Sequence, residues 1–360
     1  MSDVYQNLAN KLNEMPNGFP ATKSGVELKI LQKIFEPNEA AMALKIKPAP
    51  ETAASIAERL REPLTEIKEF LDNMASKGQI ACFKMSGQKM YMFVPFLIGI
   101  YESQLNRIDK ELAELFEEYE PMLTKTIGGY EPAYTRVVPI SSKISAELQI
   151  NRYEDIRQLI DVAKSFMLSE CICRKEKALG GHPCEHTLEA CLSFSKEEDA
   201  YDSLPLQSGK VISKDKALEV LAEAEKEGLV HCTYNVQDGQ TFVCNCCPCS
   251  CALMRGLKEF KVPHMLAKSN FVAFIDEESC ESCGICKEER CPMDAIIEEN
   301  DVYSVQAERC IGCGVCAVTC PTESITLTRK EAPEQDRPSA NLSEWQSERA
   351  AKRGIEIKVS

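Results

Sequence analysis

Residues 278–297 read ESCESCGICKEERCPMDAII, and residues 307–327 read AERCIGCGVCAVTCPTESITL. Each segment carries three cysteines at two-residue intervals, followed by a fourth cysteine and a proline. The two quartets are Cys280, Cys283, Cys286 and Cys291, and then Cys310, Cys313, Cys316 and Cys320. A cysteine pattern that occurs twice in the same order predicts two similar metal centres in one small unit.

The spacing predicts [4Fe–4S] clusters. A tight run of three cysteines binds three irons of a cluster, and in this type of run the fourth cysteine binds an iron of the other cluster. We therefore assign Cys280, Cys283, Cys286 and Cys320 to one cluster, and Cys310, Cys313, Cys316 and Cys291 to the second. Two structural zinc sites are the alternative, but zinc ligands usually come as two separated cysteine pairs.

This stretch resembles bacterial-type dicluster ferredoxins. It departs from them at one point, because four residues, 287–290, precede the last cysteine of the first quartet where the usual count is three. The insertion lengthens a loop and leaves all eight ligands in place. The resemblance implies a dicluster ferredoxin-like domain over residues 269–327.

Composition favours a reduced, cytoplasmic protein. The chain has 360 residues and 19 cysteines, and it starts without the basic and apolar segments of a secretory signal, so we expect free thiols that can bind metal. The longest apolar run, residues 91–101, is interrupted by Pro95 and is shorter than the roughly 20 residues that span a bilayer. No membrane span is predicted.

The charge is acidic and unevenly distributed. The net charge is −14, and residues 271–325 hold twelve acidic and three basic residues. Such a surface repels nucleic acid and attracts a basic face on another protein. We expect redox partner proteins with a basic docking face.

Residues 1–98 resemble a winged helix-turn-helix. Apolar periodicity predicts helices over about 26–35, 39–46, 51–60 and 63–78, followed by strands at 80–84 and 89–94. The helix that would enter a DNA groove carries three acidic and two basic residues, and residues 24–95 are nearly neutral. DNA binding requires a basic footprint, so nucleic acid is an unlikely partner and we expect the unit to dock on protein.

Residues 99–150 are expected to form a helical connector and linker. Apolar residues at alternating four- and three-residue spacing predict a helix from Tyr101 to Tyr119 that Pro121 ends. The seam either packs on its own chain or makes a dimerisation coil, so a homo-oligomer is possible. A short strand is expected near residues 135–140, and a helix capped by Asn151 is expected to run through Phe166.

Residues 151–268 form a cysteine-rich central domain with two further groups. Four cysteines with loop glycines between them can meet around one metal centre, either a cluster or zinc: Cys171, Cys173, Cys184 and Cys191. His182 and His186 are possible substitute ligands, and Arg174 and Lys175 are expected to offset the thiolate charge.

The second central group has five cysteines in eight residues: Cys244, Cys246, Cys247, Cys249 and Cys251. Adjacent Cys246 and Cys247 point to opposite sides of an extended chain. Either four of the five hold a separate cluster, or they combine with the first group in shared clusters. Cys82 and Cys232 are interpreted as small buried apolar residues.

The sequence pattern CICRKEK…CNCC, within about residues 151–327, resembles that of a group of iron–sulfur proteins of anaerobic bacteria and archaea that end in a dicluster ferredoxin domain. The chain has Ser250 where that group's pattern has a cysteine. The resemblance implies an electron-relay subunit of a larger redox complex. From the cysteine groups we expect four [4Fe–4S] clusters, with the two of the C-terminal quartets as the minimum.

Known substrate-binding motifs are missing from the sequence. It has no GxGxxG opening a helix, no P-loop and no HExxH. This favours an electron-transfer subunit over a catalytic one. Two alternatives remain: an iron–sulfur transcriptional sensor that binds DNA through the winged helix, and a catalytic site at an open iron position in the central domain.

The expected fold class is α+β, with the winged-helix-like, central and ferredoxin-like domains in that order. Residues 328–360 are expected to be a polar tail with one short helix. Its cap is Asn341 or Ser343, and it carries Trp345, the only tryptophan. We expect Trp345 to dock on its own chain.

Overall fold

A computed structural model describes residues 2–202, 204 and 209–356. It mixes helices and sheets, in agreement with the α+β class. The α-helices are α1 Ser2–Asn13, α2 Val26–Ile34, α3 Pro37–Lys45, α4 Ala53–Leu60, α5 Leu64–Ser76, α6 Lys110–Ile127, α7 Ile156–Asp161, α8 Ile172–Leu179, α9 Lys214–Glu227, α10 Ala252–Lys258, α11 Val315–Val318 and α12 Leu342–Lys352. The strands are β1 Ala81–Met85, β2 Gln88–Met92, β3 Thr135–Val137, β4 Ser165–Glu170, β5 Glu189–Ser195, β6 Lys210–Ile212, β7 Val230–Tyr234, β8 Phe242–Cys246, β9 Leu266–Ala267, β10 Phe271–Ile275, β11 Ile296–Glu299, β12 Val302–Val305 and β13 Ile325–Arg329.

The N-terminal part consists of helices and a hairpin. Helices α2 to α5 and the antiparallel pair β1–β2 lie within a few residues of the predicted positions. Helix α1 was not predicted, although Tyr5, Leu8 and Leu12 form an apolar face at helical spacing and are buried. Membership of the winged-helix class stays a prediction.

Helix α6 differs from the prediction at both ends. Residues before it form turns, and it begins at Lys110 because the Asp109 side chain caps it, accepting a hydrogen bond from the Leu112 amide at 2.8 Å. Pro121 lies inside the helix and does not end it. Proline removes one backbone hydrogen bond, but buried Tyr119 and Leu123 hold both sides of it in the core. The seam therefore packs within its own chain.

The helix predicted from Asn151 through Phe166 is shorter than expected. Asn151 does form a capping box with Glu154, but around a single 3₁₀ turn. Helix α7 follows and ends at Asp161, and Phe166 lies in strand β4. Phe166 and Leu168 face the core at the two-residue period of a strand, a pattern that was hidden in the longer apolar run.

A seven-stranded sheet organises the central region in the order β6-β4-β5-β8-β7-β3-β9. Its pairs are antiparallel except β3 with β9. Helices α7 and α9 cover one face, where Leu192 and Val243 belong to the same apolar cluster as Leu159 and Leu221. Because side chains alternate along a strand, the neighbouring cysteines of β5 and β8 point to the opposite face.

Two small antiparallel pairs, β10–β13 and β11–β12, frame the C-terminal cysteines. The extra residue of the first quartet is accommodated as a π-turn over Cys286–Arg290, in which the Cys291 amide donates to the Cys286 carbonyl oxygen at 3.0 Å. A π-turn holds one residue more than an α-turn, so the insertion is absorbed locally. Assignment to the ferredoxin-like class stays a prediction.

One continuous apolar core extends from α1 to β13. Helix α6 lies within it and contacts α2, α8 and α10. The tail joins the rest of the fold, since Trp345 in α12 is buried and its Nε1 donates to the Ala133 carbonyl oxygen at 2.9 Å. The predicted self-docking of Trp345 and the Asn341 cap are confirmed. In the described part of the chain, every helix is too short or too polar to cross a membrane.

Candidate metal centres

The first C-terminal cavity brings together cysteines from both quartets. Its lining contains Cys280, Cys283, Cys286 and Cys320, which is the set assigned to one cluster from the sequence. Cys283 is exposed and the other three are half-buried. This centre therefore opens to the surface of the molecule.

The second C-terminal cavity contains the complementary set, Cys291, Cys310, Cys313 and Cys316. Three of these four side chains are less than a tenth exposed. The backbone amide of Ile140 donates to the Cys313 carbonyl oxygen at 3.0 Å, and Arg290 donates to the Glu225 and Lys226 carbonyl oxygens at the end of α9. This centre faces the interior and adjoins the central region.

Hydrogen bonds reach the sulfurs of both cavities. The Ala295 amide lies 3.1 Å from Cys291 Sγ, and the Gly312 amide lies 3.4 Å from Cys310 Sγ. Ser324 Oγ lies 3.3 Å from Cys320 Sγ. Partial burial opposes ionisation of Cys320, but the hydrogen bonds from Ser324 and Thr322 prevail and lower the pKa of this thiol. Donors of this kind stabilise a thiolate and raise the potential of a cluster bound to it.

Six central cysteines form a closed ring of thiols, which we call the thiol ring: Cys171, Cys173, Cys251, Cys246, Cys244 and Cys191. Side-chain interactions join each member to the next and the last to the first. The sulfurs of Cys246 and Cys251 lie 3.3 Å apart. Strand pairing explains part of the ring, because Cys191 on β5 is directly opposite Cys244 on β8.

Ionisation alternates around the thiol ring. Hydrogen bonds from two ring neighbours each lower the pKa of Cys171 and Cys251 well below the usual value, and they lower that of Cys244 to about 6. Cys171 and Cys251 are also the N-cap residues of α8 and α10. Helix N-termini favour thiolates. The ring is thus a set of six thiols in which alternate members are disposed to ionise.

The remaining central cysteines lie outside the ring. Cys184 Sγ is 3.7 Å from Cys247 Sγ and 3.3 Å from Cys249 Sγ. We call these three residues the three-sulfur group. It contains neither of the two histidines that flank Cys184. The structure therefore has a mixed arrangement, in which each central group contributes to both sets and Cys184 is separated from Cys171, Cys173 and Cys191.

Arg174 lies between the two central sets. It is 2% exposed, and it donates to the Thr187 carbonyl oxygen and, at 2.7 Å, to that of Asn245. Burial opposes its charge, but the Cys171 and Cys247 thiolates prevail and raise the pKa of the guanidinium. Its Nε has no partner among the described residues. Arg174 is thus placed to offset thiolate charge as predicted, whereas Lys175 instead pairs with Glu170 at 3.3 Å.

Sequence reasoning missed the residues that lie between the thiol ring and the connector, residues 99–150. Tyr101 lies near Cys173, and its hydroxyl donates to the Glu176 carboxylate. Burial raises the pKa of Glu176 to about 8, against the effect of that hydrogen bond. The spacing of Glu176 three residues after Cys173 on one helix was the available signal. Cys232 is fully buried behind the ring and interacts with Cys246.

The donor sets fit iron–sulfur clusters on chemical grounds. Each C-terminal cavity has four thiol sulfurs around it, and four thiolates are what a [4Fe–4S] cluster requires. The unpartnered Nε of Arg174 marks a place beside the central thiolates where a further acceptor is expected.

Comparison with known proteins identifies part of this region. Residues 303–326, which include Cys310, Cys313, Cys316 and Cys320, match the family model of the 4Fe-4S binding domain. The match covers one of the two quartets and its flanking strands. No curated protein and no solved structure matches the chain. The chain contains a [4Fe–4S]-binding domain, and this domain indicates a role in iron–sulfur electron transfer.

Proposed function

We propose that this protein relays electrons between partner proteins through three [4Fe–4S] clusters, two in the C-terminal cavities and one in the thiol ring. The observation that carries the proposal is the pair of cavities, each lined by four cysteines drawn from both quartets. When bound, each cluster accepts and releases one electron. The protein supplies the ligands, the hydrogen bonds to sulfur and the exclusion of water.

The thiol ring is the proposed third centre. It offers six sulfurs, more than the four thiolates that one cluster requires, and its members are fully or half-buried. The half-buried Cys244 and Cys191 are fixed by strand pairing, while Cys171 and Cys251 are fixed at helix caps. Ligands held by regular elements keep their geometry when the charge of the centre changes, which favours rapid electron transfer.

The different burial of the three centres suggests their order along the electron path. The thiol ring and the cavity of Cys313 border the same apolar core, whereas Cys283 in the other cavity is exposed. We propose that the centre containing Cys283 exchanges electrons with a partner at the surface. The interior centre would then connect it to the thiol ring.

The surface near Cys283 suits a partner with a basic face. Residues 271–325 carry a net charge of −9, and exposed Phe274 and Val302 add apolar area on adjoining strands β10 and β12. An apolar patch inside a charged rim is typical of protein interfaces. Long-range attraction between opposite charges increases the rate of encounter.

The N-terminal helices are proposed to position the relay rather than to read DNA. The β1–β2 hairpin, which would be the wing, is engaged by the central region: the Ser86 amide donates to Glu197 Oε1 at 2.9 Å, and Lys84 Nζ donates to the Asp199 carbonyl oxygen at 3.0 Å. Asp72 of α5 is paired with Lys89 of the hairpin. These contacts give no support to the alternative of a DNA-binding sensor.

A reductive titration of the full chain, purified anaerobically, tests the proposal. We expect about three electrons per chain in the wild type and about two in the triple variant Cys171→Ala, Cys244→Ala, Cys251→Ala, because each cluster takes one electron and the variant keeps only three of the six ring sulfurs. Cys82→Ala is the control, since Cys82 is a half-buried strand cysteine that lies in none of the three centres. Equal electron uptake by wild type and the triple variant would show that the thiol ring holds no cluster.

A further inference from the structure

The spacing of the three-sulfur group suits a single metal ion. Cys184 Sγ lies 3.7 Å from Cys247 Sγ and 3.3 Å from Cys249 Sγ, and all three sulfurs are within 4.8 Å of one another. Two thiolates that bind one tetrahedral zinc ion at about 2.3 Å lie about 3.8 Å apart. The two measured separations, 3.3 and 3.7 Å, lie slightly below that value, and the third pair is within 4.8 Å.

The other cysteines of this chain provide an internal comparison. In a [4Fe–4S] cluster each thiolate binds a different iron, so the sulfurs stand further apart than two ligands of one ion. Within residues 2–202, 204 and 209–356, the three-sulfur group is the only set of three or more possible metal ligands that all lie within 4.8 Å of one another. In the thiol ring Cys246 and Cys251 are 3.3 Å apart, but among the described ring residues no third sulfur is within 4.8 Å of both.

We propose that Cys184, Cys247 and Cys249 bind one zinc ion, separate from the iron–sulfur clusters, and that its fourth coordination position is open. Zinc binds thiolates in tetrahedral geometry, and sites with three protein ligands keep the fourth position for water or another small ligand. The proposal does not depend on the electron-relay function.

Local structure explains how the site is separated from the thiol ring. Strand β8 ends at Cys246, which belongs to the ring. Because successive side chains of an extended chain point to opposite sides, Cys247 leaves on the other side and meets Cys184. One cysteine-rich segment therefore supplies two different centres.

Charge compensation favours the same site. Three thiolates and one zinc ion carry a net charge of −1, and the guanidinium of Arg174 interacts with Cys247. Arg174 is 2% exposed, and its Nε has no partner within the described part of the chain. A buried cation beside the site offsets the charge that the thiolates would otherwise leave uncompensated.

The three-sulfur group lies at the edge of the fold. Cys249 is exposed, whereas Cys247 is buried. Within the described residues, no histidine, carboxylate or fourth cysteine joins the group. Ser250 Oγ lies 3.7 Å from Cys249 Sγ and also interacts with Cys184. Position 250 therefore borders two of the three sulfurs without completing the site.

Metal analysis of the full chain, purified anaerobically, tests the proposal. We expect about one zinc per chain in the wild type and in the control Cys82→Ala, and a loss of that zinc in Cys249→Ala with the iron content unchanged. Cys249 is exposed, so its truncation should not disturb the fold, which an unchanged melting temperature checks. If Cys249→Ala loses iron, Cys249 is a cluster ligand and the proposal is wrong.

If the wild-type chain is isolated without zinc, titration with metal tests the same site. Addition of Co²⁺, a spectroscopic substitute for zinc, should produce thiolate-to-metal absorption bands in the wild type and not in Cys249→Ala. Failure of the wild type to bind either Zn²⁺ or Co²⁺ overturns the proposal. Iron content and electron uptake are measured separately, so this failure is distinguishable from failure of the relay function.

Ser250→Cys tests the open fourth position. A thiol at this position should complete the tetrahedral set, so the variant should retain zinc at a chelator concentration that strips the wild type. A variant that loses zinc as readily as the wild type would contradict an open position beside residue 250.

Discussion

Replacement of Lys177 by methionine should loosen the packing of the thiol ring. Lys177 lies on α8, and its Nζ is 3.6 Å from Glu120 Oε2 and also pairs with Glu117, both on α6. Arg255 of α10 lies 2.5 Å from the same Glu120 oxygen. Since α8 and α10 begin at ring cysteines, this ion network fixes the ring against the connector helix.

The distances and burial of the paired groups determine how much stability the Lys177→Met variant should lose. Lys177 and Glu120 side chains are 7% and 10% exposed. At an effective dielectric constant of about 20, their attraction at this separation is about 5 kcal/mol before desolvation is subtracted. Removing one partner of a buried pair typically costs about 3–5 kcal/mol, and because Arg255 remains, we expect about 3 kcal/mol. With the usual unfolding entropy per residue, this lowers the melting temperature by about 4 °C.

The assay is anaerobic thermal unfolding of the cluster-loaded chain, together with iron released over time. Lys164→Met is the matched control, because Lys164 pairs with Glu198 at 3.0 Å while both side chains are more than half exposed. An exposed pair contributes at most about 1 kcal/mol. If both variants shift the melting temperature equally, or if Lys177→Met retains iron as the wild type does, the assigned role of the network is wrong.

Three further predictions follow from the sites. The variant Cys320→Ala should lose about four irons, and the double variant Cys283→Ala/Cys320→Ala should lose no more. The double variant Cys313→Ala/Cys320→Ala should lose about eight, since only this pair spans two cavities. Iron analysis of the three variants measures this. Burial raises the pKa of Glu176 to about 8, so its stabilising effect is complete below pH 4.5 and is lost as the pH rises through 8. Wild-type stability should therefore fall by about 1.4 kcal/mol per pH unit relative to Glu176→Gln between those values, and parallel curves from denaturant titrations would contradict it. Salt should slow electron transfer to a basic acceptor protein but not to a neutral one, as measured by stopped-flow kinetics, and equal salt dependence would argue against an acidic docking face.

The crossed grouping of the C-terminal cysteines was predicted from the rule that the fourth cysteine of such a run binds the other cluster. The two cavities are lined by the same sets, and cluster binding by these eight residues stays a prediction. The π-turn at Cys286–Arg290 did not follow, because an inserted residue can be absorbed in several ways and packing selects one. Similarly, the apolar period from Tyr101 to Tyr119 identified buried residues in this region. It did not predict where helix α6 starts, which depends on the Asp109 cap. Nor did it predict that the helix continues past Pro121, which depends on tertiary contacts.

The sequence did not predict how the central cysteines divide into the thiol ring and the three-sulfur group. The alternation at Cys246 and Cys247 showed that two sides were involved, but the partner on each side is set by strand pairing between distant segments. Cys191 meets Cys244 because β5 and β8 are neighbours, although 53 residues separate them in the chain. Cys184 meets Cys249 by the approach of a loop that carries no periodic signal.

Iron and acid-labile sulfide in the anaerobically purified chain test the central claim most directly. Three [4Fe–4S] clusters predict about 12 irons and about 12 sulfides per chain. About 8 of each would mean that the C-terminal cavities alone hold clusters, and it would contradict a third cluster in the thiol ring.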